Sequence, residues 1–382
     1  MQLTDLTDAL SLTRQMIDIP SVSGQEGPLA DAVEAAARSA GFGSVPALEI
    51  LRDGDAVCAR TSLGLPQRVV LAGHLDTVPI ADNVPGRTEI RDGVDVVWGR
   101  GSVDMLGGCA AALALACEVG PLIAAGEHAA LTADVTWIFY DHEEVASHLN
   151  GLGRIERNHP QWLAGDLALL GEPTAAHVEG GCNGTLRVIA RFPGRAAHSA
   201  RAWMGVNAIH AMAPVIERIA DYGNPVELVD GLEFRESLSV VRVEGGIANN
   251  VIPEAASMTV NYRFAPSKRA DDALAWVRSL FEGTGATIEV DDLCEGARPG
   301  ADSPVAERFL TVARRIAAEQ GTELRLSAKV GWTDVARFTQ VGVPAMNFGP
   351  GDPLLAHTRD EHAPVSDIVR VHDTLRAFVL AH

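Results

Sequence analysis

Six side chains suited to metal ligation or proton transfer stand at His74, Asp104, Glu143, Glu144, Glu172 and His357 of a 382-residue chain. Two imidazoles with four carboxylates make the donor set of a dinuclear hydrolytic centre. Catalytic zinc takes three protein ligands and leaves one position for water or substrate. Two zincs sharing one carboxylate therefore need two imidazoles and two further carboxylates. His74, Glu172, Glu144 and His357, with Asp104 shared, satisfy that count and leave one acid over. Glu143 and Glu144 are adjacent after a strand-like run, so both cannot aim at the same point. One can bind metal while the other faces the water held there, as general-base catalysis requires. Asp76 lies two residues from His74, on the same face of an extended segment, where it can orient the imidazole.

Singly, each residue has a plainer reading. A histidine at a strand end is usually a satisfied polar group, a Glu-Glu pair a solvated loop, and Asp104 a helix cap. GEPT alone reads as a turn. The joint occurrence, in this order, outweighs those readings.

The elements that must position these residues follow from the apolar pattern. Residues 69–72, 135–140 and 167–170 are short apolar runs of strand character, and a polar residue just past the carboxyl end of a strand is where open α/β sheets gather ligands. Residues 28–40 predict an amphipathic helix ended by Gly41. The run 103–119 is apolar nearly all round and predicts a buried helix, with Cys109 and Cys117 as core side chains. The first 180 residues thus alternate helix and strand, the signature of an α/β layer fold. The alternation then breaks. Strands at 185–192, 237–243, 256–264 and 286–291, with helices at 205–221 and 269–282, give the order β-α-β-β-α-β, the ferredoxin-like arrangement. A long helix at 303–320 follows. The expectation is an α/β catalytic domain over 1–180 and 293–382, interrupted by an inserted ferredoxin-like domain over 181–292.

Composition bounds the function. The length exceeds what a single core usually supports, which predicts two domains. No uninterrupted apolar run reaches the ~18 residues of a membrane span. The N-terminus is acidic and helical in pattern, without the basic start and apolar block of a signal peptide. Five cysteines, at 58, 109, 117, 182 and 294, show no paired spacing and predict reduced thiols in a cytoplasmic protein. A net charge of −19 opposes binding to nucleic acid or anionic membranes. An anionic small substrate would need local arginines to hold it.

HLDTVP, GRGSVDM followed by GG, DHEE and GEPT resemble the motifs of the dizinc aminoacylase/carboxypeptidase family of metallohydrolases. Longer stretches extend the likeness over residues 74–361: VEGGCNGTLRV, RAAHSARAWMGVNAIH, GGIANNVIPEAASMTVNYRFAP, KVGWTDVARF and NFGPGDPLLAHTRDE. The resemblance implies two Zn2+ per subunit, with Co2+ as a substitute. It assigns His74 and Glu172 to one ion, Glu144 and His357 to the other, Asp104 as the bridge, and Glu143 as base and later proton donor. It implies a homodimer through the inserted domain, in which His198 reaches the partner's site and stabilises the oxyanion. Arg263, Asn249, Asn250 and Thr333 match positions that contact substrate. Two departures stand out: Leu106 follows Met105 where many relatives have lysine, and Leu354 precedes His357 where some carry asparagine.

The reading is a metal-dependent amidohydrolase acting on a small anionic amide, implied by the resemblance to be N-succinyl-LL-2,6-diaminopimelate. A sibling deacylase or carboxypeptidase, such as an acetylornithine deacetylase, would keep every ligand and differ in the substrate pocket. A metal-bound binding protein without turnover is the alternative of another class, and the intact Glu143 argues against it.

Overall fold

The computed structural model describes residues 2–127 and 130–380. Contacts divide the chain into two compact units. One comprises Met1–Gly180, Gly300–Ser327 and Arg337–His382, the other Gly181–Pro299 and Ala328–Ala336.

The first unit is built on a mixed sheet with strand order Leu48–Asp53, Ala56–Thr61, Asp134–Tyr140, Arg68–His74, Leu167–Leu170, Ala345–Asn347, Val178–Gly180 and Leu326–Ala328. Arg68–His74 pairs in parallel with Asp134–Tyr140 on one side and Leu167–Leu170 on the other, and Ala345–Asn347 continues the parallel run. These four strands are almost wholly buried, as their unbroken apolar runs require of strands covered on both faces. Beside the sheet lies Leu106–Ala124, a helix of 19 residues, long and apolar enough to cross a membrane yet mostly buried in the core. It packs against Ala9–Ile17, Gly27–Ser39 and Val365–Val379, so its apolar circumference is used on every side. Its N-terminal turn needs glycine: a Cβ on Gly108 would lie 2.2 Å from the carbonyl oxygen of Gly171. The helix begins later and ends later than the pattern at 103–119 indicates, because 101–105 forms the turn that carries Asp104.

The second unit holds a four-stranded antiparallel sheet in the order Ser237–Gly245, Ala255–Phe264, Gly184–Pro193, Thr287–Cys294. In chain order that is 2-3-1-4, the ferredoxin-like pattern, with helices Ala213–Ala220 and Ala270–Ser279 packed on one face. Of the helix expected over 205–221, only the second half, Ala213–Ala220, forms an α-helix. Asn207 caps a short turn through the N–H groups of Ile209 and His210, and Pro214 allows a helix to start but not to pass through. A hairpin absent from the sequence reading, Val226–Val229 with Leu232–Arg235, turns on Asp230 and Gly231, both at positive φ. The strip 328–336 belongs to this unit. Asn183 donates to the carbonyls of Lys329 and Val330, and the Trp332 indole donates to Glu295.

Candidate dinuclear metal centre

The carboxyl ends of the four parallel strands each deliver part of the site. His74 is the last residue of its strand. Glu143 and Glu144 follow Tyr140, Glu172 follows Leu170, and His357 closes the loop after Asn347. Asp104 comes from the turn ahead of the buried helix, whose following peptide, to Met105, is cis.

The donors converge. His74, Asp104 and Glu172 offer ligand atoms within 4.8 Å of one another, as do Asp104, Glu144 and His357, and also His74, Glu143 and Glu144. Asp104 is common to the first two groups and spans them: Oδ1 lies 3.2 Å from His74 Nε2, and Oδ2 lies 3.2 Å from His357 Nε2. Glu144 Oε1 lies 2.8 Å from the same His357 nitrogen. Donors bound at ~2.0–2.1 Å to one tetrahedral ion sit about 3.3 Å apart, so these separations suit zinc-sized cations. Four carboxylates gathered around two imidazoles also call for positive charge. The residues fit the metal that the sequence pattern predicts.

The imidazoles are held ready. His74 is buried, and its Nδ1 makes a 2.9 Å hydrogen bond with the carbonyl oxygen of Asp76, which leaves Nε2 directed at Asp104. Burial works against the charged form of His74, but Asp104, Glu143 and Asp76 outweigh it and raise its pKa well above the usual value. The pKa of His357 is pushed up to about 10 by Asp104 and Glu144, and that of Asp104 is lowered by the two imidazoles despite burial. These shifts follow from the carboxylates crowded around the two imidazoles.

Asp76 does more than orient a ring. Its carboxylate, fully buried, lies 3.5 Å from His74 Nδ1 but accepts the backbone N–H groups of Glu143 at 2.9 Å and Glu144 at 3.0 Å, and the Ser23 hydroxyl at 2.7 Å. It therefore sets the main chain from which both glutamates project. His142, at φ 59°, makes this turn possible; its ring leans on Asp141 at 2.7 Å and its N–H on buried Glu26. Arg154 in turn holds Asp141.

Glu361 is a site residue that sequence reading missed. It is 1% exposed, and its Oε1 accepts N–H groups from Gly101, Val103 and Asp104 at 2.9–3.1 Å, while Oε2 pairs with Arg100 at 2.6 Å. Burial raises its pKa, with the Asp104 and Val103 N–H groups and Arg100 opposing. The signal was within HTRDEH, where an acid among charged residues reads as a solvated loop.

His362 turns to the carbonyl of Asp360. Leu106 is buried in the core, where its N–H closes the Asp104 turn onto Gly101, and Leu354 is 83% exposed. His198, Asn249, Asn250, Arg263 and Thr333 belong to the second unit. There His198 and the Asn249 loop are neighbours: Ala197–His198 pairs with Val251–Ile252, and Ser199 N–H donates to Asn250. His198 is exposed, with Nδ1 accepting from Ala200 N–H. Arg263 is half-buried on the open face of the sheet. Burial lowers its pKa against Asp292, and no carboxylate among the described residues comes within ion-pair distance of it. Four cysteines are buried and Cys294 is partly so, and no disulfide joins them; burial drives the thiol pKa of Cys182 to about 11 and of Cys109 and Cys117 to about 12.

A model of peptidase family M20/M25/M40 matches residues 70–381. A Corynebacterium glutamicum protein named succinyl-diaminopimelate desuccinylase is 45% identical over 377 residues, covering 98% of this chain and 96% of that one. A Mycobacterium tuberculosis protein, provisionally given the same name, is 48% identical over 372 residues, 97% of this chain and 98% of that one. Among solved structures, an M20 family metallo-carboxypeptidase from Sulfolobus solfataricus shares the fold with a TM-score of 0.78 at 16% identity, covering 97% and 98% of the two chains.

Proposed function

Because the chain belongs to peptidase family M20/M25/M40, we propose that its cluster of two imidazoles and four carboxylates hydrolyses an amide, and that the amide is N-succinyl-LL-2,6-diaminopimelate. The enzyme is a succinyl-diaminopimelate desuccinylase: it releases succinate and LL-2,6-diaminopimelate, the step its 45–48% identical relatives are named for. The observation that carries the reading is the placement of Asp104 between two complete donor groups, with Glu143 beside them.

We assign His74 and Glu172 to one ion, Glu144 and His357 to the other, and Asp104 to both, with zinc as the ion and cobalt as its substitute. Bound there, the two ions would supply Lewis acidity toward the carbonyl and lower the pKa of water. Glu143 removes the proton from the attacking water as the C–O bond forms, then returns it to the leaving amine as the C–N bond breaks. Arg263, which no carboxylate among the described residues approaches to ion-pair distance, is suited to a substrate carboxylate in a protein of net charge −19. Asn249, Asn250 and Thr333 complete the substrate contacts.

A second copy of the chain fits the remaining features. Ser237–Gly245 is an edge strand with Val241 and Val243 exposed, the neighbouring helix exposes Ile216, and the segment after His198 exposes Trp203 and Met204. An open edge with apolar side chains is a template for pairing. In such a homodimer His198 donates to the oxyanion of the partner's site. Five cysteines without a disulfide accord with a cytoplasmic enzyme.

The test is a panel of substrates on zinc-loaded protein. The succinylated diamino diacid should exceed N-acetylornithine and a simple dipeptide in kcat/KM by on the order of 100-fold. A higher value with either competitor would reassign the substrate.

A further inference from the structure

The geometry points to Glu361 as the positioning residue that aims the shared carboxylate and ties the two ligand-bearing loops into one unit. This rests on the reading of Asp104 as bridging ligand. Three observations carry it. A single oxygen, Oε1, collects the N–H groups of Gly101, Val103 and Asp104, so the turn is folded around one point of negative charge. The other oxygen is fixed by Arg100, and both side chains are almost fully buried. Glu361 also lies four residues after His357, and its carbonyl accepts Gly99 N–H at 3.0 Å, so the chain leaving one imidazole is stitched to the chain entering the bridge. Asp104 must present Oδ1 toward His74 and Oδ2 toward His357 at the same time. That dual aim fixes its side-chain torsions, and only a main chain held in place supplies it. An outer partner of this kind is typically worth 10–100-fold in metal affinity.

Because the carboxylate it aims is shared, loss of Glu361 weakens both ions, whereas loss of a terminal ligand weakens one. The experiment is competition for zinc between the metal-free protein and a chromophoric chelator, with cobalt absorption as a second readout of ligand geometry. Glu361→Gln keeps the size of the side chain but turns an N–H group toward Arg100 or toward the turn. It should raise both zinc dissociation constants by about 10–100-fold and alter the cobalt spectrum, while His357→Ala raises one. If Glu361→Gln does not fold, Glu361→Asp is read by the same titration, since it keeps the charge but is one methylene short of the turn. A variant that melts earlier without metal yet binds both zincs as tightly as the parent would show a purely structural role and overturn the inference. Absence of zinc binding by the parent protein would instead remove the reading of the site on which it rests.

Discussion

The carboxylate of Asp76 accepts the backbone N–H of Glu144 at 3.0 Å, so the residue two places beyond one imidazole governs the main chain that carries an acid to the other. The same carboxylate holds Glu143 N–H at 2.9 Å. Each oxygen takes one amide, Oδ1 that of Glu143 and Oδ2 that of Glu144. The proposed tasks of the adjacent glutamates, base for Glu143 and ligand for Glu144, rest on the main chain so fixed.

Those tasks separate by mutation. Glu143→Ala should retain its zinc and lose roughly 10²–10⁴-fold in kcat, the worth of a positioned general base. Glu144→Ala should lose metal. Zinc analysis beside steady-state rates decides, and an exchange of the two phenotypes would reverse the assignment.

Asp104 lies within reach of both imidazoles, at 3.2 Å from each. Asp104→Ala should shed most bound metal together with activity, and His74→Ala should impair one position. Full zinc occupancy in Asp104→Ala would end the bridging role.

Arg263→Lys keeps a positive charge but gives up the planar fork that meets a carboxylate through two hydrogen bonds. KM for the diamino diacid should rise, or kcat/KM fall, at unchanged zinc content. Unaltered kinetics would count against Arg263 as the carboxylate anchor.

Mixed dimers test whether His198 serves the neighbouring chain. His198→Ala homodimers should lose on the order of 10²–10³ in kcat, like removal of an oxyanion donor. Glu143→Ala homodimers should be nearly inactive. Co-refolding the two produces dimers with one doubly damaged and one intact site, so activity should reappear well above either parent. No recovery means that His198 works within its own chain.

Glu236 in the second unit gives a pH-dependent prediction. It is buried, and although burial opposes its charge, Ala265 N–H, Lys268 and Tyr222 lower its pKa. A depressed carboxylate pKa contributes stability above the unfolded value and loses it as pH falls through the folded value. Glu236→Gln should therefore cost roughly 1.5–3 kcal/mol at neutral pH, as for hydrogen bonds to a charged group. The gap from the parent should close below about pH 4. Thermal melts across pH 3–8 measure it, and a gap independent of pH would refute the charge argument.

Sequence made most of the donors legible because they stand just past a strand end or in a small-residue turn, whereas His357, in an exposed loop, was legible only through its motif. The alternation and the βαββαβ order were readable from apolar runs alone. What escaped reading was set by partners distant in sequence. Glu361 sits in a charged run and is defined by a turn some 260 positions earlier. The Asp76 carboxylate, expected to serve the imidazole, is drawn instead to amides 67 and 68 residues away. The Asp230–Gly231 hairpin carried a usable turn signal, and Pro214 marked where a helix could begin.

The two imidazoles stand on backbones of unequal permanence. His74 ends a strand hydrogen-bonded on both flanks and is 1% exposed, while His357 rides a loop at φ 63° with its side chain 53% exposed. Hydrogen exchange should therefore be slower at the amides of the first than at those of the second. An ion bound through His357 would have the more exposed of the two imidazoles as its ligand, and one bound through His74 the more buried. With two ions bound as proposed, a chelator should empty the His357 position before the His74 position.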